Sequence, residues 1–422
     1  AASCAAIAGL LLLNAGIMKN KKRKLLIEPD TFLWRTETSN LFYNTVSCQS
    51  YLFPNTDLIS LYCDKIADIK NLYVVDIEEE DWKDKTLNNW LHEIVKRCLG
   101  FFWEQEKSES SIISFPPLLN LQSDIDRIEA AEDRDIGEYA AQNWNEFSVY
   151  LGGESEFPDL YKQVPYPVND NKILNFQDLQ VFLSSADNSY LNTINVIGNL
   201  FSYSAKSELM DLLYSIPVKK NFYLTASHAS LFVKEIVNME LSDYKLYIYY
   251  EGEEAASIHQ ELIDRNLPFC WIYLISSEEQ NGELERLETS YGSEYIEVHP
   301  IYTGENLLFF ENNIYSTEED ILQSHYDKQD IFAHQVMNTN FWGRLSVLPD
   351  GKVYSNLNHP PIGTLKDRVY DLIVDEMKSK RSWRWMRDDM LPCKNCLYRY
   401  LCPSPSNYEI VIGKTNLCYV KP

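Results

Sequence analysis

Basic charge is what the chain most lacks. Its 38 Lys and Arg are outnumbered by 62 Asp and Glu, for a net charge of −24. A nucleic-acid binder needs a concentrated cationic surface, so nucleic acid is excluded as a partner. The main basic run, Lys19–Lys24, is short and reads as a solvated tail. A peptide with a basic segment would suit the acidic surface, as would solubility alone. Long apolar runs are also scarce. The opening AASCAAIAGLLLLNAGI is too short to span a bilayer comfortably. Its basic residues follow it, the reverse of a secretory signal. No membrane partner is expected, and residues 1–17 read as a non-native extension, a mis-set start or a piece of an interacting peptide. Met18 opens a sensible N-terminus. Phosphate-cradling motifs are absent, since Gly152-Gly153 is followed by Glu154 and neither GxxxxGK[ST] nor GxGxxG occurs. His325 and His334 are too far apart for one helix-borne metal site and read as surface or core residues.

What is present supports several cores, with 45% hydrophobic and 13% aromatic residues. Residues 30–53 alternate apolar and polar positions, with Ser39-Asn40 as a hairpin turn. Residues 86–99 put Leu87, Leu91, Ile94, Val95 and Cys98 on one helical face, capped by Asp84 or Thr86 and stopped by Gly100. Three strands followed by about three helices predict a winged-helix-like module over 26–103, after a flexible or non-native 1–25. Residues 104–145 read as an acidic linker with a short helix near Asp124–Ala131. From 146 to 335, strands at 147–151, 193–198, 221–225, 245–250, 269–275 and 295–302 alternate with helices at 175–185, 205–215, 229–239, 253–265 and 282–289. The fold class is therefore α/β, with a parallel sheet either open or curled as a (β/α)6 partial barrel. Residues 336–422 break the alternation with a hairpin at Pro349-Asp350-Gly351 and a helix at 363–379. Trp383 and Trp385, with Arg381, Arg384 and Arg387, form an aromatic-basic patch suited to packing a following loop.

That loop carries the chemistry. Five cysteines are scattered (Cys4, Cys48, Cys63, Cys98, Cys270), and four cluster as Cys393-x2-Cys396-x5-Cys402-x15-Cys418. This usage fits a reducing, cytoplasmic setting and one metal site rather than a disulfide scaffold. A Cys-x2-Cys turn aims two sulfurs at one centre, and two more complete a set for either Zn²⁺ or an iron–sulfur cluster.

The segment CKNCLYRYLCPSPSNYEIVIGKTNLC resembles the end of SPASM domains, the C-terminal regions of radical-SAM peptide maturases that hold auxiliary 4Fe-4S clusters. The resemblance makes Cys393, Cys396, Cys402 and Cys418 the ligands of one 4Fe-4S cluster. Two other family cysteines fall on Ser406 and, in a Gly-x4-Cys pattern, on Asn356 after Gly351, so the other auxiliary cluster is lost. The radical-SAM Cys-x3-Cys-x2-Cys is missing after the first barrel strand, since no cysteine lies between Cys98 and Cys270. The second strand keeps Gly198 of a Gly-Gly-Glu-Pro-like motif, but Asn199, Leu200 and Phe201 follow. No S-adenosylmethionine is expected. The whole is similar to the pseudo-radical-SAM proteins of the GG-Bacteroidales type of peptide-maturation system. That similarity implies a degenerate (β/α)6 partial barrel, a SPASM-like cysteine-rich domain and a non-catalytic role beside an active radical-SAM enzyme. The N-terminal module resembles the peptide-recognition elements of such proteins, which implies precursor-peptide binding by strand addition. The candidate residues are Gln49, Ser50, Tyr51, Leu52 and Phe53 on an open edge, with Leu87, Leu91 and Ile94 on the facing helix. Two alternatives stay open: an enzyme using the C-terminal cluster for electron relay or substrate ligation, and an adaptor stapled by structural zinc.

Overall fold

A computed structural model of the chain describes residues 23–104, 114–117, 142–152, 157–185, 190–236, 243–379 and 381–421. The extension through residue 22 and the helix expected near Asp124–Ala131 lie outside them. The first module contains β1 (Arg23–Ile27), β2 (Thr31–Arg35), β3 (Ser39–Asn44), β4 (Ser50–Pro54), α1 (Asp57–Ala67), β5 (Val74–Ile77), α2 (Lys85–Lys96) and β6 (Gly100–Glu104). These strands make two three-stranded antiparallel sheets, ordered β5-β1-β6 and β2-β3-β4. The first described strand begins at Arg23, inside the basic run, and its alternate residues Leu25 and Ile27 bury fully in the module's core. The module has two helices of at least eight residues among those described, rather than about three. The first hairpin turns before Ser39-Asn40. Thr36 N–H donates to the Ser39 carbonyl at 2.9 Å, while Asn40 is buried in β3 and paired with Arg35.

Helix α2 forms where its caps and stripe dictate. The Asp84 side chain accepts from Leu87 N–H, and Leu87, Trp90, Leu91 and Ile94 recur at three- and four-residue spacing. All four bury against Phe42, Phe53 and Tyr62.

The main body is one nine-stranded sheet. It contains β7 (Glu146–Tyr150), β8 (Thr193–Ile197), β9 (Lys219–Thr225), β10 (Tyr244–Tyr249), β11 (Phe269–Ile275) and β12 (Ile296–Pro300). Between them run α3 (Phe176–Ser184), α4 (Lys206–Ser215), α5 (Ala226–Ile236), α6 (Glu253–Asp264) and α7 (Asn281–Tyr291). Three short helices follow, α8 (Leu307–Asn313), α9 (Glu318–Gln323) and α10 (Lys328–Val336). Beyond them come β13 (Arg344–Val347), β14 (Lys352–Tyr354), β15 (Gly363–Thr364), α11 (Val369–Lys378) and α12 (Asn407–Ile412). The strand order is β12-β11-β10-β9-β8-β7-β13-β14-β15, and β7 through β12 pair in parallel. β13 joins parallel to β7, so the sheet crosses the boundary expected at residue 336.

The six parallel strands run in sequence without reversal. α3 to α6 pack on one face, where Phe147, Ile194, Phe222, Leu246 and Trp271 meet Leu179, Leu209, Phe232 and Ile258. The alternate residues of each strand point to the other face. Among the described residues no helix is long and apolar enough to cross a membrane.

Candidate metal centre and the surfaces around it

The four clustered cysteines come together. Cys393 opens a short turn, Cys393–Asn395, and the Cys396 N–H donates back to the Cys393 carbonyl at 2.8 Å, which sets two sulfurs on one side of the turn. The Cys402 N–H donates to the Tyr398 carbonyl at 2.9 Å. Cys418 returns along the chain beside Ser316, in a single bridge. All four line one depression, with Ile321, Arg387, Pro392, Arg399, Asn416 and Val420 completing its wall. Cys393 and Cys396 are buried, whereas Cys402 and Cys418 are half-buried at its rim. Among the described residues no three His, Cys, Asp or Glu side chains converge closely enough to hold a single metal ion.

Burial pushes the Cys393, Cys396 and Cys402 thiols up, Cys402 to about 12. The Arg387 guanidinium opposes that rise at Cys393 and Cys402, and Arg399 does so at Cys396. A thiolate-binding group would have to displace these protons. Arg387 is itself buried and pairs with Glu409 Oε1 at 2.6 Å, while Arg399 Nε lies 2.8 Å from Asp388 Oδ1. Neither arginine stood out in the sequence as a site residue, because Glu409 is remote from Arg387 along the chain and no local spacing links them.

No family model matches the chain, and no curated protein matches it. A crystal structure of Streptococcus suis SuiB bound to precursor peptide SuiA is similar to it at a TM-score of 0.48, with 9% sequence identity over 94% of this chain and 99% of that one. The likeness is loose in both sequence and superposition.

The two positions assigned to a lost second cluster are also neighbours. Asn356 Nδ2 donates to Asn407 Oδ1 at 2.9 Å, and Asn407 adjoins Ser406. Ser406 caps α12 in a reciprocal box with Glu409. Asn358 Nδ2 shares the Asn407 oxygen at 3.1 Å and reaches the Lys162 carbonyl at 2.8 Å.

Lys162 belongs to the segment after β7, which packs on the sheet face opposite α3 to α6. Leu160, Val164 and Tyr166 bury against Tyr249 and Ile272, and Val168 buries against Tyr150 and Ile197. The Tyr249 hydroxyl donates to the Pro165 carbonyl. Gln163 latches the segment, its Nε2 donating to the Tyr302 carbonyl at 2.9 Å and its Oε1 accepting from Tyr302 N–H at 2.8 Å. At the strand ends Gly152 and Gly198 both have positive φ, and a Cβ on Gly198 would sit 3.1 Å from the Gly152 carbonyl. Asn199 turns its Oδ1 to Phe201 and Ser202 N–H, at 3.0 and 3.2 Å, and Leu200 is buried.

The peptide-recognition residues divide. β4 is an edge of its sheet, as expected for Gln49–Phe53. The bonds Asn44 N–H to Gln49 O and Asn55 N–H to Thr38 O fix the phase of the β3–β4 ladder. Gln49, Tyr51 and Phe53 therefore turn their backbone groups to β3, and Ser50, Leu52 and Pro54 turn theirs outward. The Ser50 carbonyl already accepts from Arg97 Nη1 at 2.8 Å. Leu52, 45% exposed, carries the free donor and acceptor in the middle of the edge. Leu87, Leu91 and Ile94 line no open groove, since each is 0% exposed and shares the module's core with Phe53. Instead Trp90 and Arg97 approach β4, with Trp90 edge-on to Phe53 at 5.6 Å and Arg97 over the Tyr51 ring at 5.1 Å.

The aromatic-basic patch packs inward. Trp383 is fully buried, its Nε1 donating to the Arg344 carbonyl at 3.0 Å, and Trp385 is parallel to Phe341. His334 is a satisfied core residue, with Nδ1 2.9 Å from the Tyr400 carbonyl oxygen.

Proposed function

We propose that this chain is a non-catalytic partner in radical-SAM maturation of a ribosomally made peptide, binding the precursor and/or the active enzyme and carrying one 4Fe-4S cluster on Cys393, Cys396, Cys402 and Cys418. The observation that carries the reading is the contrast between a depression lined by four cysteines and a sheet face, opposite α3 to α6, on which residues 160–168 pack. Side chains already occupy the face on which a substrate and cofactor would otherwise meet.

Four thiolates suit one zinc as well as an iron–sulfur cluster, and the reading takes the cluster because the cysteine spacing resembles that of a SPASM cluster. Bound there, the cluster would supply a one-electron centre and a cross-link between the two ends of the loop. The protein's own part is to bury Cys393 and Cys396, and to hold Arg387 and Arg399 against the negative charge of four thiolates.

The β4 edge supplies the peptide site in this reading. An added strand would take the Leu52 N–H and C=O, while Arg97 at Ser50 and the missing N–H of Pro54 limit how far pairing extends. The test is titration of a labelled candidate precursor against the full chain and its Leu52→Pro variant. Losing the outward donor should weaken binding about tenfold, since a lost bond and its desolvated partner cost about 1–3 kcal/mol. Tyr51→Pro would instead break a bond within the sheet and destabilise the module. Equal affinity for wild type and a folded Leu52→Pro variant would move the peptide site elsewhere.

A further inference from the structure

We propose that Arg387 is the positioning residue of the cysteine site: it ties together the pieces of chain that carry three of the four cysteines and supplies the cation facing the bound group. The inference rests on the cluster reading above.

Arg387 lies six residues before Cys393, in the turn Arg387–Asp389. Its Nε donates to the carbonyl of Pro403, next to Cys402, at 3.0 Å. Its Nη1 donates to the carbonyl of Thr415, three residues before Cys418, at 3.4 Å. Its Nη2 donates to Glu409 Oε1 at 2.6 Å, and the side chain walls the depression beside Cys393. Only a planar fork with donors on three nitrogens can hold three separate segments in this way; a lysine ammonium is a single point. Glu409 is fixed in turn, its Oε2 accepting from Ser406 N–H at 2.9 Å and Ser406 Oγ at 2.7 Å. The chain from Cys402 to Cys418 is thereby fastened to the turn that leads into Cys393.

Stability alone is a poor reason for this arrangement. A buried ion pair pays heavily in desolvation and is often replaceable by apolar residues without loss. Arg387 and Glu409 have side chains only 10% and 2% exposed, so they bear that cost. Four thiolates bring excess negative charge to the same low-dielectric wall, where a fixed cation is strongly felt. Groups that orient metal ligands without touching the metal are commonly worth 10–100-fold in metal retention.

The experiment uses the full chain reconstituted anaerobically with ferrous iron and sulfide. Glu409→Gln serves as the background, so that removing Arg387 leaves no buried carboxylate unpaired. Adding Arg387→Met should speed iron loss to a chelator about 10–100-fold and shift the cluster's midpoint potential negative, with the melting temperature reporting that both variants are folded. Arg387→Lys in the same background should keep the potential but not the slow iron loss, because it restores the charge without the fork. A merely structural arginine would leave the potential unmoved. Unchanged iron release and potential in the folded Met variant would overturn the assignment. Wild-type protein with no iron–sulfur absorbance would overturn the cluster reading and this inference with it.

Discussion

Loops border both the sheet face opposite α3 to α6 and the cysteine depression, yet the first is packed with side chains and the second is a hollow lined by four cysteines. On the sheet, the segment after β7 brings its own Leu160, Val164 and Tyr166, and Gln163 fastens it by two bonds to Tyr302. At the cysteines, the loops leave a depression lined by all four of them, and two arginines stand in its wall. The first region is packed with apolar and aromatic side chains, whereas the second presents soft potential ligands. The second region also holds the molecule together. Phe32, Trp34, Leu41 and Tyr43 of the β2-β3-β4 sheet pack on Cys396, Leu397, Tyr398 and Leu401. The β2-β3-β4 sheet thus rests directly on the cysteine loop.

The largest effect should come from breaking the open region. Cys396→Ser with Cys402→Ser should abolish metal binding and cost more than ~5 kcal/mol of local stability, because structural metal binding doubles as folding energy. Hydrogen exchange should quicken in residues 390–421 and on β2 and β3, while β7 to β11 stay protected. Loss of protection confined to residues 390–421 would separate the two parts that share this core.

Next comes the filled region. Tyr166→Ala should cost about 3–5 kcal/mol in chemical denaturation, the usual loss for a buried aromatic, and the loss should be the same with or without metal. A metal-dependent loss would mean that the two regions are one unit. Tyr249→Phe tests the hydroxyl bond to Pro165 alone and should cost about 1 kcal/mol.

The smallest effect concerns pH. His259 is packed among Phe269, Trp271, Tyr291 and Tyr295, and its Nδ1 accepts from Trp271 Nε1 at 3.1 Å. Burial lowers its pKa below the ordinary histidine value. With the folded pKa depressed, its contribution is intact above the unfolded value of about 6.5 and fades as pH falls through and below it. Denaturation midpoints between about pH 7.5 and 5.5 should show a small decline that His259→Phe flattens.

The parallel strands were legible because each buried strand is a short apolar run closed by a helix cap or turn, as in FCWIYLI before Ser276-Ser277. That Cys393, Cys396, Cys402 and Cys418 would meet was legible from their spacing, and all four line one depression. β1 was hidden because Arg23 and Lys24 read as tail, although Leu25 and Ile27 alternate into the core. The first turn was misplaced because Asn40, a turn former by type, is buried and donates to Asn55 Oδ1 at 2.5 Å. Leu87, Leu91 and Ile94 looked like a groove because a helical stripe does not say which side covers it. Arg387 depends on Pro403, Glu409 and Thr415, contacts that only the folded loop creates.

The most direct test of the central claim is iron, acid-labile sulfide and zinc analysis of anaerobically reconstituted full-length protein beside its Cys396→Ser/Cys402→Ser variant. The account expects about four iron and four sulfide per chain in the wild type and none in the variant. One zinc per chain with no sulfide, or iron content unchanged by the two serines, would contradict it.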